Sequence, residues 1–159
     1  MNNLESIVKI LTEKKETIAT MESCTGGTLA GMITNIEGAS SVFQYGAVTY
    51  STEAKIKIGV PKELIDTHTV YSKEVAYSMA KTICEYANSD YGIGITGKLN
   101  RNDESNETTS EDNKVYYVIY FKKDNSHILK EVTVTPNTRE NMKQEVIESL
   151  LTELLLNIK

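Results

Sequence analysis

A chain of 159 residues suffices for one domain with its own core, since a protein of this size buries roughly 68–70% of the surface its unfolded form exposes. With 40% hydrophobic and 25% charged residues and a formal net charge of −5, it offers no broad cationic surface for a phosphate backbone, and nucleic acid is not an expected partner. No stretch approaches the ~20 apolar residues of a membrane span, and the N-terminal MNNLESIVKILTEKKET is charged throughout, unlike a signal peptide, so a cytoplasmic protein without a membrane partner is expected.

Taken in chain order, Leu4, Ile7, Val8 and Leu11 recur at helical spacing behind Asn3 as a cap. Residues 17–23 (TIATMES) read as a short buried strand, followed by a glycine turn and a helix from Thr25 marked by Leu29, Ile33 and Ile36. The β-branched and aromatic run at 41–51 predicts a second strand, and Pro61 suits the first turn of a short helix. Behind Ser72, the residues Val75, Ala76, Met79, Ala80, Ile83 and Ala87 form an amphipathic stripe ending near Asn88, with Cys84 beside it as a core thiol. Strands are predicted at 91–97, 114–123 and 127–135, the last two as a hairpin about Asp124-Asn125-Ser126. Asn137 and Glu140 suggest a capping box before a C-terminal helix with Met142, Val146, Leu150, Leu154 and Ile158 inward, widened by Ile147, Leu151 and Leu155.

Helices and strands alternate, and the strands are mostly apolar, as in a sheet covered on both faces. The expectation is an α/β chain, a three-layer α/β/α sandwich with a mixed, mostly parallel sheet of about five strands. The closing hairpin must be antiparallel, because a connection of about three residues cannot make a parallel crossover. One domain spans 1–159, interrupted at 99–113 by a polar stretch with five carboxylates, four asparagines and a single apolar residue, expected to be a solvated flexible loop.

Several chemistries find no motif. Cys24 and Cys84 are far apart, and His68 and His127 lie in different segments without ligand spacing, so no metal site is expected. Gly92, Gly94 and Gly97 have G-x-G-x-x-G spacing, but they lie inside a predicted strand and precede a polar loop, where a dinucleotide fingerprint would open a helix. The stretch TMESCTGGTLAGMI (20–33) is more informative. Gly26 and Gly27 let a ligand approach the backbone, and helix-start N–H groups there make an anion or oxyanion site, with a simple tight turn as the alternative. A second polar cluster, VTYSTEAK (48–55), supplies Tyr50 and Lys55 at the end of a strand that could pair beside the first.

Residues 20–61 closely resemble the C-terminal domain of the CinA family, the competence/damage-inducible proteins, whose active members are nicotinamide-nucleotide amidases. The resemblance rests on E-S-C-T-G-G, the G-A-S segment, V-T-Y-S-T-E-A-K and G-V-P in order, then GIGITG and Arg139 before the last helix. It implies a stand-alone form of that domain, hydrolysis of the carboxamide of nicotinamide mononucleotide to the acid and ammonia, no metal or organic cofactor, a small-molecule nucleotide as partner, and a homodimer. Carried over by motif, Ser23 is the nucleophile, Lys55 the base, and Tyr50 a relay or orienting group. Substrate contacts fall to Thr25, Gly26, Gly27, Thr96, Gly97 and Arg139.

The chemistry is coherent, because a serine hydroxyl needs a base and a lysine serves once desolvation lowers its pKa. Cys24 is the competing nucleophile, since a helix N-terminus favours a thiolate. The resemblance weakens after Gly97, where Lys98 and the acidic stretch replace the family's glycine- and proline-rich turn. Its carboxylates are expected to oppose a phosphate and weaken hydrolysis of the mononucleotide, and a catalytically impaired ligand-binding or interaction paralogue is the alternative reading.

Overall fold

A computed structural model describes residues 2–100 and 113–159. Six helices and five strands follow in the order α1 (Asn3–Lys14), β1 (Ile18–Glu22), α2 (Thr28–Thr34), β2 (Phe43–Val48), α3 (Thr52–Ile58), α4 (Lys62–His68), α5 (Lys73–Ala87), β3 (Tyr91–Gly97), β4 (Lys114–Phe121), β5 (Ser126–Thr133) and α6 (Arg139–Ile158). The strands form one sheet in the order β2-β1-β3-β4-β5. β1 runs parallel to β2 and β3, while β4 is antiparallel to both β3 and β5, so every strand but β4 points the same way. This is the three-layer mixed sheet that the alternation predicts.

Side-chain alternation along each strand sorts the two cores. Ile18, Ile93, Ile95, Val115, Tyr117 and Ile119 face one layer, with the buried stripes of α1 and α6 and Leu29 and Ile33 of α2. Ala19 and Met21 face the other, packing with Val60, Ile65, Val75, Met79 and Ile83 from the α3–α5 side. Gly92 and Gly94 of β3 face α5. A Cβ on Gly92 would lie 2.1 Å from the Ala80 carbonyl oxygen, and one on Gly94 2.4 Å from that of Ala76, so α5 rests directly on the strand backbone. That close approach, and not a nucleotide turn, accounts for Gly92 and Gly94, while Gly97 packs against the backbone of β4.

Local chemistry corrects several boundaries. Asn2, not Asn3, caps α1: its side chain accepts from the Glu5 N–H while the Glu5 carboxylate accepts from the Asn2 N–H. Thr138, not Asn137, caps α6 by accepting from the Asn141 N–H, and Asn137 instead accepts from the Thr138 N–H. α2 starts only at Thr28, because Gly26 and Gly27 hold φ values of +61° and +96° that keep the chain out of a right-handed helix.

A helix the sequence reading lacked, α3, follows Ser51, whose hydroxyl accepts from the Ala54 N–H, and stops at Gly59. Residues 101–112, with most of the acidic stretch and the reading of it as a loop, lie outside the described residues. Its flanks are anchored: Leu99 is 2% exposed within the main core, and the buried Asn113 side chain accepts from the Asn100 N–H. Among the described residues no helix is long and apolar enough to cross a membrane.

Candidate active site

The chain leaves β1 toward β2 on one side and leaves β3 toward β4 on the other, so the C-terminal ends of β1 and β3 flank a point where the connections diverge. Open α/β sheets bind ligands in the crevice at such a point. A cavity of about 400 Å3 lies there, walled by Ser23 and Cys24 after β1, Tyr50 to Thr52 and Lys55 after β2, Val70 and Tyr71 before α5, Gly97 to Asn100 after β3, and Arg139 at the start of α6.

Alternation along β1 assigns opposite duties to its last residues. Glu22, fully buried, turns toward α2: its carboxylate accepts from the Thr25 hydroxyl at 2.6 Å and from the N–H groups of Leu29 and Ala30, each at 3.0 Å. The Glu22 carboxyl thereby caps a short helix that lacks a side-chain cap from its own N-cap residue. Ser23 follows on the opposite side, its N–H donating to the Ile95 carbonyl and its side chain entering the cavity. There Lys55 Nζ donates to Ser23 Oγ at 3.0 Å and to the Thr49 carbonyl at 2.7 Å. Thr49 is itself held, because its N–H donates to the Glu22 carbonyl and continues the β1–β2 ladder.

Lys55 is 1% exposed, and no carboxylate pairs with it among the described residues. Burial without a counter-charge favours the neutral amine and pulls its pKa below the ordinary 10.5. Cys24 goes the other way. It is buried, and desolvation pushes its thiol up to about 12, which favours the protonated thiol over the nucleophilic thiolate.

The remaining expected residues divide into two groups. Tyr50, 64% exposed, and Arg139 line the same cavity, where Arg139 Nη2 donates to the Tyr50 hydroxyl at 3.3 Å and Nη1 to the Leu99 carbonyl at 2.8 Å. Tyr50 makes no hydrogen bond to Ser23 or Lys55 among the described residues. Gly97 lines the cavity, and a Cβ on it would lie 2.4 Å from the Lys114 carbonyl oxygen.

Thr25, Gly26, Gly27 and Thr96 stand behind the wall. The Thr25 hydroxyl is spent on Glu22, and the Thr96 hydroxyl donates to the Val70 carbonyl at 2.6 Å, fixing a residue that does line the cavity. Of the amides at the start of α2, those of Leu29 and Ala30 are taken by Glu22 and are not available to a ligand. Among the described residues the Thr25 N–H, two positions after Ser23, has no protein acceptor, and the Cys24 N–H lies toward its own thiol.

Sequence reasoning missed Tyr71, Leu99 and the placement of Lys98 in the wall. The available signal was positional: the segment after β3 borders the same crevice as the segment after β1. No group of three or more His, Cys, Asp or Glu is placed to hold a metal ion among the described residues.

A buried serine–lysine pair at the divergence point of a five-stranded α/β sheet defines the class of site, and comparison with known proteins agrees in fold. The model of the CinA C-terminal domain family matches residues 2–158, and the chain belongs to that family. A competence-damage inducible protein of Alkaliphilus oremlandii is 50% identical over 97 residues, which are 60% of this chain and 24% of that protein. One from Clostridium botulinum is 50% identical over 94 residues, 58% of this chain and 23% of that protein. The matched segment thus spans about a quarter of those relatives' length.

Among solved structures, the competence or damage-inducible protein from Enterobacter asburiae superposes with a TM-score of 0.87 at 23% identity, covering 99% of this chain and 96% of that one. A CinA superfamily protein from Escherichia coli gives 0.84 at 25% identity, covering 97% and 87%.

Proposed function

We propose that the chain is an amidohydrolase that cleaves the carboxamide of a pyridine mononucleotide, nicotinamide mononucleotide in the first instance, to the carboxylate and ammonia. The observation that carries this reading is the 3.0 Å contact between Lys55 Nζ and Ser23 Oγ inside a cavity that gives the lysine no counter-ion among the described residues. A neutral Lys55 keeps a donor for the Thr49 carbonyl and offers its lone pair to the Ser23 O–H. The serine oxygen attacks the carboxamide carbon as Lys55 takes its proton, and the amide of Thr25 is the nearest backbone donor in sequence left for the oxyanion that forms. Lys55 returns the proton to the departing nitrogen, ammonia leaves, and the serine ester is hydrolysed by water that Lys55 deprotonates in turn. Amide and water give acid and ammonia, with enzyme regenerated.

Beside the neutral Lys55, the basic side chains Lys98 and Arg139 and no carboxylate occur among the described lining residues, which favours an anionic substrate. The acidic stretch on which the impaired-paralogue reading rests lies at 101–112, outside the described residues. Ammonia and product acid measured after incubation with nicotinamide mononucleotide test the proposal. Release by the native chain that is lost in Ser23→Ala supports it, and no release over hours at micromolar enzyme removes it.

A further inference from the structure

We infer that the Thr49 hydroxyl, which has no partner in the resting protein, is held in reserve to accept from Lys55 when that amine becomes an ammonium during turnover. The inference rests on the function proposed above and makes Thr49 a positioning residue that acts through Lys55 and not on the substrate.

Thr49 is 2% exposed, and its Oγ1 is buried with no hydrogen-bond partner among the described residues. A buried hydroxyl left unpaired costs free energy that an apolar side chain of the same shape does not. The rest of the residue is committed: its N–H donates to the Glu22 carbonyl, and its own carbonyl accepts from Lys55 Nζ at 2.7 Å. Covalent geometry keeps a threonine Oγ1 within about 4.5 Å of its own carbonyl oxygen, so the unpaired hydroxyl belongs to the surroundings of that amine.

The proton count of the reaction gives the hydroxyl its use. A neutral Lys55 has two N–H groups, one of them on the Thr49 carbonyl, and turns its lone pair to Ser23. As Ser23 Oγ bonds to the carboxamide carbon, its proton passes to Lys55, and the amine becomes an ammonium with three N–H groups. One stays on the Thr49 carbonyl. The transferred proton faces the serine oxygen and then the departing nitrogen, which leaves the third N–H to be satisfied. The other ionisable groups of the wall are Cys24, Tyr50, Tyr71, Lys98 and Arg139, none of them a carboxylate, and Glu22 behind β1 is committed to α2. Thr49 Oγ1 is the buried oxygen with its lone pairs unused. An acceptor already in place, and used only once the charge has formed, lowers the barrier without lowering the resting state.

The test compares Thr49→Val, which keeps the backbone contacts and the side-chain shape, with Thr49→Ser, which keeps the hydroxyl. Thr20→Val is the matched control, because Thr20 Oγ1 in the middle of β1 is also buried and unpaired but Thr20 does not line the cavity. Both valine variants are expected to melt at or above the native temperature. With nicotinamide mononucleotide, Thr49→Val should lose about tenfold or more in kcat with little change in KM, the loss of one hydrogen bond to a charged group. Its acidic limb in the pH–rate profile should move to lower pH, because the ammonium loses an acceptor that the neutral amine does not need. Thr49→Ser should recover most of the lost kcat, and Thr20→Val should keep the native value. A Thr49→Val protein that melts well below native, or one with native kcat, overturns the inference.

If the native chain does not hydrolyse the mononucleotide, the proposed function fails, and the inference is then read from stability. The advantage of Thr49→Val over native in urea midpoint should grow as pH rises and Lys55 loses its proton, and should not vary with pH in a Lys55→Met background. The same pH dependence in both backgrounds, or none in either, overturns it.

Discussion

Lys55 Nζ meets Ser23 Oγ at 3.0 Å across 32 positions of sequence, and the contact depends on β1 and β2 lying side by side. Ser23 follows β1 directly, and Lys55 sits in the first turns of a helix that Ser51 starts shortly after β2. The Thr49 carbonyl, fixed by the ladder, holds the amine, so the pair is positioned by backbone and not by a third side chain.

The pH dependence of activity follows from the burial of that amine. Its pKa is lowered from 10.5, and the reaction needs the neutral form, so kcat/KM is expected to rise with pH through a value below 10.5 and then level off. Stability moves in the same direction. Between the folded and unfolded pKa values the unfolded chain binds more protons, so the native protein gains on Lys55→Met as pH rises through that window. Below it the difference stays constant, and above it the proton-linked part of the difference vanishes. A pH–rate profile and denaturant midpoints at several pH values check both, and a flat acidic limb contradicts the assignment of Lys55 as base.

Glu22 is expected to matter for folding more than for chemistry. Glu22→Ala leaves the N–H groups of Leu29 and Ala30 and the Thr25 hydroxyl without their buried acceptor, a loss of about 3 kcal/mol or more. Glu22→Gln can keep the two bonds to Oε1 and loses only that to Oε2, so its urea midpoint should fall between alanine and native.

Two glycine substitutions should act in opposite senses. Gly94→Ala places a methyl 2.4 Å from the Ala76 carbonyl oxygen and 2.6 Å from the Ala80 nitrogen, both backbone, and is expected to destabilise by about 1–3 kcal/mol or prevent folding. Gly31→Ala, inside α2 with nothing within 4 Å of the added carbon, should stabilise by roughly 0.5–1 kcal/mol. Thermal melts of the pair test whether α5 rests on β3 as described.

Cys24 lies next to Ser23, the proposed nucleophile, but is buried, with its thiol pushed up to about 12. Cys24→Ala should keep at least a third of native activity, and iodoacetamide at pH 8 should label the native thiol slowly. Rapid alkylation with loss of activity would transfer the nucleophile's role to Cys24.

Much of this fold can be read in the residues. The strand at 91–97 and the inward stripes of α1, α5 and α6 follow from periodicity and caps, because burial of those faces decides the structure. α3 escapes that reading: in TEAKIKI, Ile56 and Ile58 alternate with charged residues as a strand would, and only the Ser51 cap and Gly59 stop reveal a helix. Leu99 escapes it too, since one buried leucine beside a polar stretch vanishes in a composition average.

The site is legible to the extent that motif resemblance names Ser23, Lys55, Tyr50 and Arg139. Which of these touch depends on pairings no local pattern contains, such as Tyr50 with Arg139 across 89 positions. Thr25 and Thr96 look like substrate contacts in sequence, and become supports once their hydroxyls are seen committed to Glu22 and Val70.

The most direct test of the serine–lysine account is ammonia release from nicotinamide mononucleotide by the native chain, Ser23→Ala and Lys55→Met, with circular dichroism confirming that each is folded. The account predicts stoichiometric ammonia and acid from the native chain and a fall of at least about 10³-fold in both variants, because nucleophile and base act as one unit. Native-like release by folded Ser23→Ala or Lys55→Met would contradict it.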